Sequence, residues 1–588
     1  MLSPNFRTRE SIQYNTGQYY STEKNKQILI ALLKQNNIHT IVVSPGATNV
    51  TLVGSLQHDS FFKLISCVDE RAAAYMALGM AEATGEPIAL SCTGATSSRN
   101  YYPALTEAYY KRLPLLVITS SLSSCNIGHL YPQVTDRLQV PFDIVKSSFT
   151  IQNIKDANDI WDCEIKINKA ISDLTHDGGG PVHINLETSY DKRFTIKSLP
   201  DTRSIRKITY GDKMPSLKTG KTAIFIGSHK KFSPKTEHLI SKFCEIHNAV
   251  VLCDHTSNYY GMYKLNMALI YAQERYISPH ITFSTIIYLG GISGDYYSCS
   301  ALFKSEMWRV SLDGDFCDRF KDLYYVFDMS EDLFFESYTD RSSEKNTSLY
   351  ESMLKEYSCS LEKIPEMPFS NIWIAKQIFN KLPTNAQIHL GILNSLRSWN
   401  FFAIPQGVTS FCNVGGFGID GVLSSAVGAS CVNPHKLYFC ILGDLSFFYD
   451  VNILLNSEIK NNIRILLINN GRGTEFRNYN HVAACLGASA DAYVAAAGHF
   501  GNQSIQTVHD LCESLNIEYL SAKDKNEFLG TFNKFISQGP QERALLLEIF
   551  TNPDDESNAL KMISSFMQDT KASRIRSIKK IIKKLLGK

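Results

Sequence analysis

Residues 437–442 (LYFCIL) and 463–468 (IRILLI) are two short, nearly continuous apolar runs, and the twenty residues between them leave little choice of fold. Runs of this kind suit strands buried on both faces, and parallel strands need a crossover of about a dozen residues or more, usually a helix. The first run is followed at once by Gly443 and Asp444, the second by Asn469 and Asn470. The carboxyl ends of parallel strands are where α/β sheets take ligands. Gly443 lets a ligand approach the backbone closely, and Asp444 offers a hard carboxylate oxygen. Asn470 offers a neutral amide oxygen of the kind Mg²⁺ or Ca²⁺ accepts. Together they suit a diphosphate gripped through a divalent cation. An ordinary βαβ unit with a Gly-Asp turn would use the same residues.

The same alternation of strand and helix patterns recurs along the chain, the mark of parallel sheets with right-handed crossovers. At 588 residues the chain is too long for one core. The expected fold class is α/β, with three doubly wound parallel-sheet domains. Residues 1–190 form the first, 222–340 the second and 368–552 the third; 191–221 and 341–367 read as polar linkers, and 553–588 as a tail. A formal net charge of +2 gives no bulk attraction to nucleic acid. The 14 cysteines show no repeated CxxC spacing and no secretory signal opens the chain, so reduced thiols in the cytoplasm are expected. No apolar stretch reaches the ~18 residues needed to span a bilayer.

Near the other end, 68–82 reads VDERAAAYMALGMAE, with Glu70 between an apolar run (62–68) and an alanine-rich helix. A carboxylate in a helix's first turn is favoured by the helix dipole alone. Followed by ALSCTGATSSRNYYPAL and the run at 114–120, however, this segment resembles the thiamine-diphosphate enzymes. The Gly-Asp…Asn-Asn segment is similar to their metal-diphosphate motif, and the resemblance covers about residues 20–550. It implies the three-domain fold above (pyrimidine-binding, central, diphosphate-binding), thiamine diphosphate as cofactor, and Mg²⁺ (Ca²⁺ or Mn²⁺ as substitutes). It also implies a homodimer or dimer of dimers. In that family the glutamate hydrogen-bonds the aminopyrimidine, and the cofactor serves as electron sink.

Within the family, SPGATNVTL (44–52), GDLSFFYD and GIDG (418–421) resemble the 2-succinyl-5-enolpyruvyl-6-hydroxy-3-cyclohexene-1-carboxylate synthases of the menaquinone pathway. This resemblance implies Glu70 as activating acid, Asp444, Asn470 and the Arg472 carbonyl on the metal, and Ile419 beneath the bent cofactor. Gly443, Leu445, Ser446 and Phe476 complete the cofactor's surroundings, and Arg397 faces substrate. The departures concern charge. Thr48 and Val414 stand where those synthases carry arginines, the 120–126 segment lacks a third, and a Gly-Lys-Arg becomes Gly294-Asp295-Tyr296. Arginine forks are natural carboxylate receptors. The expected reaction is therefore decarboxylation of a 2-oxo acid and carboligation to an acceptor other than isochorismate. Simple decarboxylation, the synthase reaction itself and a non-catalytic scaffold are the alternatives.

GHLYPQ (128–133) also resembles the acetohydroxyacid-synthase branch, which places Gln133 beside the substrate. His129 is a candidate for proton transfer, or simply a loop histidine. Arg477 and His481 follow the asparagines and could meet an acceptor, as could Thr48, Asp295 and Tyr296. Finally, KASRIRSIKKIIKKLLGK (571–588) sets isoleucines and leucines on one helical stripe amid basic residues. Such a helix suits an anionic membrane surface, a partner, or its own subunit.

Overall fold

Ile41 and Val42 are neighbours in sequence yet enter different cores, and the same holds for Leu116 and Val117. Period-two alternation with both faces apolar demands cover on both sides, and helices supply it. The computed structural model describes residues 19–136, 140–300, 302–339, 344–498 and 504–568. These described residues divide into two compact units, one of those up to 208 with 316–326, the other of those in 209–315 and from 327 onward.

The first unit is built on a parallel sheet of β1 (Thr40–Val43), β2 (Lys63–Ser66), β3 (Ile88–Thr93), β4 (Leu115–Ser121), β5 (Ser147–Ile151) and β6 (Val182–Glu187), in the order β2-β1-β3-β4-β6-β5. The helices Lys24–Gln35 and Ala157–Asp173 pack on one face, and Glu70–Thr84 and Tyr102–Lys111 on the other. The helix Glu70–Thr84 starts where Asp69 accepts a hydrogen bond from the Ala72 amide (2.8 Å) and stops at Gly85, whose φ of 71° is left-handed. Its buried stripe of Ala73, Ala74, Ala77, Leu78 and Ala81 lets it lie close to the sheet.

The second unit carries two parallel sheets. One includes β7 (Thr222–Ile226), β8 (Val250–Cys253), β9 (Thr285–Leu289) and β10 (Glu306–Ser311), adjacent in the order β8-β7-β9-β10. The other comprises β11 (Gln387–Leu390), β12 (Thr409–Phe411), β13 (Tyr438–Gly443), β14 (Ile463–Asn469), β15 (Glu518–Ala522) and β16 (Leu545–Phe550), in the order β12-β11-β13-β14-β16-β15. The two six-stranded sheets thus share one topology, second-first-third-fourth-sixth-fifth.

The expected linkers are more ordered than their composition suggests. Within 191–221, Phe194–Ile196 pairs antiparallel with Tyr20–Ser21. Within 341–367 lies a helix, Ser348–Leu361, with Leu349, Met353, Tyr357 and Ser360 buried along one stripe. The basic stripe at 571–588 lies outside the described residues. Among the described residues no helix is long and apolar enough to cross a membrane.

Candidate active site

In the C-terminal sheet, chain direction reverses between β11 and β13: the strand after β11 is laid on one side of it, and the later strands on the other. At such a switch point the loops leaving two adjacent strands diverge and open a crevice. Here the crevice is a cavity of about 190 Å³. The loop after β11 contributes Gly391, Ile392, Leu393, Asn394 and Ser395, and the turn after β13 contributes Gly443, Asp444, Leu445 and Ser446. From the end of β14 come Asn470, Arg472, Glu475 and Phe476, with Ile419 closing one side. Sites that take a whole small molecule usually enclose roughly 300–1,000 Å³, so this crevice by itself surrounds part of one.

Each polar group is placed by local chemistry. Asp444 is the first residue of the helix Asp444–Asp450, 2% exposed, with Oδ1 accepting from the Leu445 amide (2.9 Å). Gly443 has φ −83° and ψ 169°, which any residue adopts, so its role is steric. A Cβ there would point into open space, its nearest neighbour the Ile468 carbonyl at 4.0 Å. The two asparagines differ in use. Asn469 donates to Glu548 Oε1 (2.7 Å), a carboxylate whose affinity for protons burial raises. The Oδ1 of Asn470 is buried and has no hydrogen-bond partner. A buried acceptor without a donor is costly unless something absent completes it. Ser446 donates to the Ile419 carbonyl, tying the turn to the wall opposite.

Among the described residues no cluster of three or more His, Cys, Asp or Glu could hold a metal. A cation here would rest on one carboxylate and neutral oxygens, those of Asp444, Asn470 and the Arg472 carbonyl, which suits a hard divalent ion. The orphaned Asn470 oxygen and the empty space over Gly443 fit a metal-bound diphosphate.

The site residues expected from sequence are thus partly brought together. Ile419, Gly443, Asp444, Leu445, Ser446, Asn470, Arg472 and Phe476 line one cavity. Arg397 does not line it: its Nη1 and Nη2 donate to Glu475 Oε2 (2.7 Å) and Oε1 (2.9 Å). Arg477 donates to Asp491 (2.7 Å), and the Nδ1 of His481 accepts from the Ala483 amide (3.0 Å), capping the next turn. Asp295 is 2% exposed and accepts from the Ser298 amide (2.8 Å) and hydroxyl (2.6 Å), and burial pushes its carboxyl up to about 6. Tyr296 is exposed and faces the Phe417 ring at 6.5 Å.

In the first unit, Glu70 is half-buried at the start of its helix, and His129 and Gln133 are exposed in the loop after β4. Thr48 is buried: its hydroxyl donates to the Ser120 carbonyl (2.7 Å) and pairs with Thr93. The sequence reading missed the 391–395 loop and Glu475. A strand followed by Gly and then Asn394-Ser395 signals a ligand loop only once the switch point is located.

The profile of the thiamine pyrophosphate enzymes' N-terminal TPP binding domain matches residues 24–140. Over 568 residues the chain is 29% identical to a 2-succinyl-5-enolpyruvyl-6-hydroxy-3-cyclohexene-1-carboxylate synthase of Bacteroides thetaiotaomicron, covering 92% of this chain and 98% of that one. The chain is thus similar to thiamine-diphosphate enzymes, through this domain and through the synthase along most of its length. A synthase of the same name from Phocaeicola vulgatus is 28% identical over 574 residues, with the same coverage. That of Flavobacterium johnsoniae is 29% identical over 473 residues, 77% of this chain and 84% of its own. The α/β sheets and the resemblance of the Gly-Asp…Asn-Asn cradle both accord with this similarity.

Proposed function

We propose that the protein is a thiamine-diphosphate enzyme that uses this cofactor and a divalent cation, Mg²⁺ by preference, to decarboxylate a 2-oxo acid and pass the remaining unit to an acceptor other than isochorismate. The observation that carries the proposal is the pairing of Asp444 with the unpartnered Asn470 oxygen in one cavity. Asp444, Asn470 and the Arg472 carbonyl would hold the cation. Gly443, Leu445 and Ser446 would border the diphosphate, with Asn394 and Ser395 across the crevice, while Ile419 and Phe476 supply apolar walls. Glu70 would hydrogen-bond the aminopyrimidine. When bound, the cofactor supplies a carbon nucleophile and the electron sink that decarboxylation needs.

The residues of this chain do the rest: they orient, exclude water and set charge. The apolar walls strengthen every polar contact inside the crevice. Two of the arginine positions that mark the similar synthases are apolar or neutral here. Val414 is 3% exposed, and Thr48 is spent on backbone and hydroxyl partners within its own unit. This favours a different acceptor over isochorismate.

Self-association, as a homodimer or dimer of dimers, belongs to the same proposal. In the first unit Val68, Tyr75 and Met76 are exposed around Glu70; in the second Val432, Tyr449 and Leu455 are exposed near the cavity's helix. Apolar surface of this kind marks interaction sites. A cytoplasmic location is proposed on composition alone.

The test is product analysis of purified protein with thiamine diphosphate and Mg²⁺, given pyruvate or 2-oxoglutarate, with and without aldehyde, keto-sugar or isochorismate acceptors. A new carbon–carbon bond with a non-isochorismate acceptor supports the proposal. Free aldehyde under every condition would make the protein a decarboxylase, and the succinyl adduct of isochorismate would return it to the synthase reaction.

A further inference from the structure

The arginines around the second unit's cavity are already paired within the chain. Arg472 donates to Asp491 (2.5 Å), and Arg477 to the same carboxylate. Arg397 is 8% exposed and gives both terminal nitrogens to Glu475, the geometry by which a guanidinium receives a carboxylate from outside. Burial works to strip the proton from Arg397, yet the Glu475 pair wins and holds it above its usual value.

The pair is braced. Arg397 Nη1 also donates to Asn394 Oδ1 (3.2 Å), while Asn478 Nδ2 donates to Glu475 Oε2 (3.2 Å) and to Asn394 Oδ1 (3.1 Å). Four side chains therefore form a closed ring, of which Asn394 and Glu475 line the cavity and Arg397 does not. A carboxylate accepts about four hydrogen bonds, and three of Glu475's are filled from this ring. The charge of Asp295 also acts on Arg397. The wall beside this ring has closed up. A Cβ on Gly294 would lie 2.6 Å from Leu396 and 2.7 Å from Val414, so no larger residue fits there unless the wall moves.

We infer that Glu475 is a specificity-determining residue that fills the Arg397 fork from within, so that the acceptor substrate offers hydroxyl or ammonium donors to Glu475 instead of a carboxylate to Arg397. The inference rests on the cavity being the substrate and cofactor site, and deepens that reading. An acceptor carboxylate would have to break a bidentate pair and leave Glu475 beside its own negative charge. A donor meets the acceptor capacity that Glu475 still has.

The experiment uses the full-length protein with thiamine diphosphate and Mg²⁺, and two probes of matched length, succinate and 1,4-diaminobutane, titrated by calorimetry. Wild type is expected to prefer the diamine. Glu475→Gln and Glu475→Leu are each expected to bind succinate at least about tenfold more tightly than wild type, and adding Arg397→Gln should abolish that gain. Equal succinate affinity in wild type and variants, or a gain that survives Arg397→Gln, would overturn the inference. Thermal unfolding checks that the variants fold. If neither does, the wild-type choice of probe decides, and preference for succinate refutes. Thiamine diphosphate binding is read in the same titrations. Its failure in wild type would sink the cofactor reading while leaving the comparison of probes intact.

Discussion

The two six-stranded sheets have the same strand order, and each places a switch point between its first and third strands. One is shut. In the first unit a Cβ on Gly46 would lie 2.6 Å from Thr93, and the Thr48 hydroxyl binds Thr93 and the Ser120 carbonyl. The other is open. A Cβ on Gly443 would meet nothing nearer than 4.0 Å, and a buried amide oxygen lacks a partner. Topology therefore marks where a ligand can enter, and side chains decide whether it does. The first unit places Glu70, the carboxylate proposed to meet the aminopyrimidine, one strand further out, after the edge strand β2.

This division of labour yields its largest test in two substitutions. Asp444→Ala should weaken Mg²⁺-dependent thiamine diphosphate binding more than about 100-fold in calorimetry, since even outer-shell partners of metal ligands are worth 10–100-fold. Glu70→Gln should leave that affinity within a few-fold but lower turnover by about 10²–10⁴, the range of one lost proton-transfer partner. Exchange of these two phenotypes would reverse the roles assigned to the sheets.

A pH effect comes next. The carboxylate of Glu556 accepts from the Asn371 amide (3.0 Å) and the Thr551 hydroxyl (2.7 Å), supporting the helix whose first residue, Asn371, lines the open crevice. Burial pushes Glu556 up to about 7 from an ordinary 4.5. The unfolded chain then releases this proton first, so the stability tied to the protonated form is full below pH about 4.5 and lost as pH rises through about 7. Relative to Glu556→Gln, wild type should lose up to about 3 kcal/mol between pH 4.5 and 8 in denaturant titrations. Parallel curves for the two proteins would remove Glu556 as the source.

Glycine exchange sharpens the contrast between closed and open. Gly46→Ala should destabilise by about 1–3 kcal/mol through overpacking, read as a lower urea midpoint. Gly443→Ala should keep the wild-type midpoint and lose cofactor affinity. A destabilised Gly443→Ala that binds normally would mean the cradle is merely packed structure. Smallest is Thr48→Val, expected to cost about 1 kcal/mol for its hydrogen bonds and leave cofactor binding unchanged.

Much of this was legible in sequence because strand patterning is local. The runs at 437–442 and 463–468 became β13 and β14, and Gly443, Asp444 and Asn470 met in one cavity as their spacing implied. What escaped depended on pairing at a distance. Glu475 carries no signal of its own in the sequence, and gains meaning only from Arg397, 78 residues earlier, which holds it. The 391–395 loop has no motif of its own and gains meaning only from the neighbour its strand acquires. The helix Ser348–Leu361 hid because serine, glutamate and lysine outnumber its apolar stripe. Nor does the motif around Thr48 show that its hydroxyl bonds Thr93 and the Ser120 carbonyl, partners 45 and 72 residues away.

The most direct measurement is calorimetric titration of the purified protein with thiamine diphosphate in Mg²⁺, repeated in a chelator and with Asp444→Ala. Saturable binding in Mg²⁺ that vanishes in both controls is the expected result. Binding indifferent to the metal and to Asp444, or none at all by a folded protein, would contradict a metal-held diphosphate at the open switch point.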